Sequence, residues 1–126
     1  MSNKVTVLFG DVEIGKTDNK TDLAKVSAKY TLRRGGKIVE SHTFSTHFSG
    51  RNLRRLKQAE ANGIFRDIER RATRRVVESF IIDAAITGKF KAVDEVTVRA
   101  KRDVRLVKPE IVNVVADTVG CKFTFK

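Results

Sequence analysis

The stretch IFRDIERRATRRVVESFIIDAAITG, residues 64–88, decides the architecture. Phe65, Ile68, Ala72, Val76 and Phe80 recur at steps of three and four, so they share one face of a helix. Gly88 supplies the residue type that ends such a helix in a left-handed conformation. Just upstream, Asn62-Gly63 reads as a second C-cap or a kink. Before it, Leu53 and Leu56 begin a shorter apolar stripe that Ser49 or Asn52 can cap. The middle of the chain is therefore helical, with a long helix expected from about Ile64 to Thr87.

Working outward, the pattern changes period on both sides. Val5, Val7 and Phe9 alternate, and the phase shifts at Gly10-Asp11 before Val12 and Ile14, which predicts a bulge or tight turn. Gly15 to Asp22 is polar and reads as a loop. Ala24, Val26, Ala28, Tyr30 and Leu32 then alternate with Lys25, Ser27, Lys29, Thr31 and Arg33, the pattern of a half-buried strand. Arg34-Gly35-Gly36 turns the chain into Ile38, His42, Phe44 and Phe48. A three-residue loop with Gly36 left-handed is the expected turn, because it pairs Leu32 with Ile38 and Val26 with Phe44 and keeps both apolar rows on one face.

Past the helices, Val96, Val98, Ala100, Val104 and Leu106 share a parity until Lys108-Pro109 breaks the run. Ile111 to Ala116 is nearly continuous apolar, as in a strand covered on both faces. Val119, Cys121, Phe123 and Phe125 predict a paired C-terminal strand. The order strands, helices, strands defines one α+β domain over residues 1–126. Its sheet is expected to be mainly antiparallel, with about five or six strands and the helical segment packed across one face.

Composition bounds what such a domain does. Apolar residues reach 40%, enough for a core, and charged residues 33%, still within the globular range. The formal net charge of +11, with pI near 10.2, favours an acidic partner, nucleic acid first among them. The start of the chain leads straight into a strand pattern and reads as carrying no signal peptide. The longest apolar stretch, near Ile81 to Ile86, is too short to span a bilayer. With Cys121 alone, these features make a cytoplasmic protein without membrane attachment the expectation.

The positive charge is concentrated. Residues 51–75 hold Arg51, Arg54, Arg55, Lys57, Arg66, Arg70, Arg71, Arg74 and Arg75 against Glu60, Asp67 and Glu69. Arg66, Arg70 and Arg74 stack at four-residue spacing, and Arg71 and Arg75 lie beside them, roughly opposite the apolar stripe. Like charges so placed cost a few tenths of a kcal/mol per pair, a cost that an anionic partner removes. Arginine's planar fork also grips phosphate with two hydrogen bonds. A solvated face with local pairs is the competing explanation, since Asp67 can reach Arg71 and Glu78 can reach Arg74 or Arg75. A second basic surface follows from strand parity: Lys25, Lys29, Arg33, Arg99, Lys101, Arg105, Lys122 and Lys126, interleaved with Ser27, Thr31, Thr97 and Thr124.

No cofactor, metal or catalytic set emerges. His42 and His47 have opposite parity, so with one distant cysteine they do not form a zinc set. Gly35-Gly36 precedes a strand instead of opening a helix, which excludes a phosphate loop. The strand phenylalanines all take the core parity, leaving no platform for stacking unpaired bases. From Val76 to Ile86 the long helix is apolar nearly all round, which points to a homo-oligomer contact through Val77, Ile81 and Ile82. The expected function is a non-enzymatic nucleic-acid-binding protein, DNA or RNA, gripping the phosphate backbone through the arginine helix, as a dimer. The alternative is a viral or phage coat-like or nucleocapsid subunit that packages nucleic acid against the basic sheet face.

Overall fold

The computed structural model describes residues 3–18, 23–48, 50–63, 65–100, 113–117 and 120–125, with the side chains of 16–18, 51–52 and 65–67 outside that description. Three strands, β1 (Lys4–Asp18), β2 (Leu23–Arg34) and β3 (Lys37–Phe48), precede two helices, α1 (Gly50–Ala61) and α2 (Phe65–Thr87). Strand β4 (Glu95–Ala100), a short helix α3 (113–117) and strand β5 (Lys122–Phe125) complete the order. The five strands form one sheet in the order β3-β2-β1-β4-β5.

That sheet is mixed, which corrects the expectation of a mainly antiparallel one. β1–β2 and β2–β3 pair antiparallel, but β1–β4 and β4–β5 pair parallel. The helices carry the chain from β3 across the sheet to the far side of β1, where β4 enters in the direction of β1. Parallel neighbours need a crossover of a dozen or more residues. This also corrects the strand expected at Ile111 to Ala116: residues 113–117 are helical and lie within the β4–β5 connection. Val104, Leu106 and Lys108-Pro109 lie outside the described residues.

The hairpins differ from expectation in two informative ways. β1 extends through much of the expected loop, pairing Thr17 with Ala24 and Asp18 with Leu23. Between β2 and β3, Arg34 pairs with Lys37 across a two-residue turn in which Gly35 (φ +59°) and Gly36 (φ +79°) are both left-handed. This is the primed turn that matches strand twist. A register shift then follows between Leu32 and Arg33, so Leu32 pairs with Glu40 and Ala28 with Phe44, not Leu32 with Ile38 or Val26 with Phe44. The bulge does what a third loop residue would have done: it returns Phe44 and Phe48 to the face of Val26 and Ala28. Ile38 and Val39, before the correction, remain exposed.

The bulge in β1, between Phe9 and Val12, falls where the phase shift predicts it. Val5, Val7 and Phe9 are buried before it, and Val12 and Ile14 pack at the edge of the core after it. α1 buries Leu53, Leu56 and Ala59, while α2 buries Ile68, Ala72, Val76, Val77, Phe80, Ile81 and Ala84. All of these join one cluster with the inner rows of β1, β2 and β4. Cys121 belongs to that cluster, and burial pushes its thiol pKa up. Among the described residues no helix is long and apolar enough to cross a membrane.

Both long helices end as expected. Gly63 (φ +68°) follows α1, and Asn62 N–H donates to the Gln58 carbonyl at 3.1 Å. Gly88 (φ +73°) follows α2, and Lys89 N–H reaches back to the Ala84 carbonyl at 2.9 Å, a Schellman closure. The closure aims the Lys89 side chain across the sheet. Its ammonium donates to Glu40 Oε1 at 2.6 Å and to Tyr30 Oη at 3.1 Å, while Tyr30 donates to Glu40. Burial pushes the Glu40 carboxyl up, but the hydrogen bonds from Lys89 and Tyr30 outweigh it and hold its pKa below the ordinary value. Lys89 is the converse: burial favours the neutral amine, and the bonds to Glu40 and Tyr30 raise its pKa instead.

Candidate nucleic-acid interface

α1 and α2, joined by a three-residue connection (62–64) and in contact, present the first basic surface. The apolar residues Leu53, Leu56 and Ala59 turn α1 inward, and this leaves Arg54 and Arg55 exposed. On α2, Arg70 is exposed. No hydrogen bond or ion pair joins Arg54, Arg55 or Arg70 to another described residue. The first turn of α1 carries no acid.

The other arginines are engaged to different degrees. Arg75 is half-buried and its Nε donates to the His47 carbonyl at 3.0 Å, tying α2 to the end of β3. Thr46 Oγ1, which donates to Ser79 Oγ at 3.1 Å, makes a parallel tie. Arg74 is also half-buried, its Nε enclosed and without a hydrogen bond among the described residues. Arg71 is half-buried and Lys57 exposed, and each is engaged with another group. The side chains of Arg51 and Arg66 lie outside the described residues. The stacked row Arg66-Arg70-Arg74 is therefore not uniformly presented: α2 leans on β3 along one flank and draws its later arginines in.

The outer sheet face is the second surface. Lys25, Lys29, Arg33, Arg99 and Lys122 are all exposed on it, as parity predicts, while Lys101, Arg105 and Lys126 lie outside the described residues. Sequence reasoning missed the acids that share this face. After the β1 bulge the parity inverts, so Glu13 faces outward opposite Ser27, with Asp11 beside it. A depression near the bulge is lined by Asp11, Glu13, Ser27, Lys29 and Thr43. Counting what faces out after a bulge, instead of carrying one parity through it, would have found them.

The apolar girth of α2 also resolves. Val77 and Ile81 are buried within this chain, so they are not available to a second copy, contrary to the expected contact set. Ile82 is 38% exposed and Ile86, one turn on, 79% exposed. His42 and His47 sit on opposite faces of β3, and among the described residues no three metal-binding side chains gather. No protein-family model matches the chain, and no curated protein matches it in sequence.

Proposed function

We propose that this protein binds nucleic acid without catalysing a reaction, holding the phosphate backbone on its helical layer through Arg54, Arg55 and Arg70. The observation that carries this reading is that these three guanidinium groups are exposed and lack a carboxylate among the described residues, in a chain of net charge +11. Contacts of this kind position a backbone without reading base edges, so little sequence preference is expected. Replacing all three with Gln should weaken binding to random-sequence duplex while the melting curve stays unchanged. Equal affinity in the triple variant would remove the helical layer as the site. The protein works as a homo-oligomer in this reading, with Ile82 and Ile86 as the contact stripe; Asp at both positions should leave only monomer in analytical ultracentrifugation.

A second reading keeps nucleic acid as cargo but makes the chain a self-assembling coat or nucleocapsid subunit. The open outer sheet face, with its cations and hydroxyls, favours it. Electron microscopy separates the two, since closed particles support the second and a discrete dimer the first.

A further inference from the structure

The outer sheet face is polarised along its strands, and the polarity selects one end. Toward the β1 bulge, Asp11 and Glu13 flank Lys29. Toward the β2–β3 turn, a depression is lined by Lys4, Thr6, Leu8, Arg33, Arg99 and the two turn glycines, with no carboxylate in its wall. Register explains how these meet. Thr6 lies opposite Arg33 on one side and Thr97 on the other, and Leu8 lies opposite Arg99. Two strand spacings and a two-residue step put the Cα atoms of Arg33 and Arg99 about 12 Å apart. Two fully extended arginine side chains are long enough to close that gap over Thr6 and Leu8, which lie between them on β1. Neither arginine has an ion-pair partner among the described residues, and Lys4 holds only a 3.9 Å contact to Glu95 with its side chain 68% exposed. Two arginines without an acid partner and a hydroxyl, with Lys4 beside Glu95 at the rim, fit a phosphodiester.

We propose that this depression is a second phosphate-backbone site, and that a single chain uses it and the helical arginines together to bridge two nucleic-acid segments. The inference rests on the reading of the helical layer as a phosphate site. The geometry that adds to it is the sheet itself: the core cluster lies between the helices and the inner strand rows, so the outer face looks away from the helical layer. One duplex does not reach both surfaces, but two duplexes do.

The test uses two short duplexes carrying a donor and an acceptor fluorophore, mixed with the full chain at low salt. Energy transfer between them reports bridging, and anisotropy of one duplex reports simple binding. Arg33→Gln with Arg99→Gln should reduce transfer about tenfold, leave most single-duplex affinity in place, and make the salt dependence of bridging shallower by about 1.8 in log–log slope, two contacts' worth. Arg33→Lys with Arg99→Lys should keep much of the transfer, and Glu13→Gln should not lower it. Undiminished transfer in the Gln variant overturns the proposal, since a dimer bridging through two helical sites would behave that way. If instead the Arg54, Arg55 and Arg70 variant binds normally while the Arg33 and Arg99 variant does not bind at all, the helical reading falls and the sheet site alone stands. Inorganic phosphate provides the remaining arm: perturbation of the Gly35, Gly36 and Thr6 amides by phosphate, with no transfer between duplexes, would mark a small-anion site and refute bridging.

Discussion

Phe80 sits where the layers meet, 1% exposed, with ring centroids 5.3 Å from Phe9, 4.7 Å from Tyr30, 5.4 Å from Phe44 and 6.1 Å from Phe90. Those rings come from β1, β2, β3 and the turn after α2, so one side chain couples the helix to the three-stranded half of the sheet. Phe80→Ala should cost about 3–5 kcal/mol, read as a lowered urea midpoint at constant slope. A loss below about 1 kcal/mol would mean that α2 is not seated on these strands. Lys89 also acts as a single residue. Its ammonium lies 5.4 Å from the Tyr30 ring centroid and bonds Glu40, so Lys89→Met strands a partly buried carboxylate and should cost about 2 kcal/mol near neutral pH. The pH signs follow from the shifts. Glu40, held below its ordinary 4.5, contributes stability that is complete above that value and is lost as pH falls through its lower folded pKa. Lys89, held above its ordinary 10.5, contributes stability that is complete below that value and is lost as pH rises through its higher folded pKa. Thermal melts across pH should show both shoulders in the wild type, with the alkaline one reduced in Lys89→Met.

At the scale of elements, the Gly35-Gly36 turn and the bulge after it set the whole β2–β3 register. Both glycines are left-handed, and a primed turn accepts Asn at its first position. Gly35→Asn should therefore leave the melting temperature unchanged, whereas Gly36→Val should cost about 1–2 kcal/mol. Equal tolerance of both changes would contradict the two-residue turn. The same hairpin shows what alternation conveys. That Leu32 and Phe44 share a face was legible, because one face is apolar. Which device keeps them there was not, because a third loop residue and a bulge yield the same parity. The helices were legible almost to the residue, since a continuous stripe ending in Gly88 has no competing reading. Strand direction was not: Val96 and Val98 alternate identically beside a parallel or an antiparallel neighbour. The short apolar run through Val114 and Val115 was ambiguous between strand and helix for the same reason, being too brief to display a period.

For the whole molecule, the charge surplus announced a basic protein, but the distribution of usable charge came only with the fold. In the sequence Arg75 has only Glu78 as a local partner, yet it is spent on the His47 carbonyl because α2 crosses the end of β3. Lys29 and Arg33 look equivalent on β2, yet the bulge in β1 brings Asp11 and Glu13 toward one and not the other. What remains available is a helical patch on one side and a turn-end depression on the other. The helical patch, in the function proposed above, holds phosphates by charge. This is tested most directly by measuring affinity for a random-sequence duplex from 50 to about 300 mM salt, in the wild type and in the Arg54→Gln, Arg55→Gln, Arg70→Gln variant. Log K should fall linearly with log salt in the wild type, with a slope shallower by about 2.7 in the variant, the value for three lost contacts. Undetectable binding at the lowest salt, or one slope shared by both proteins, would contradict it.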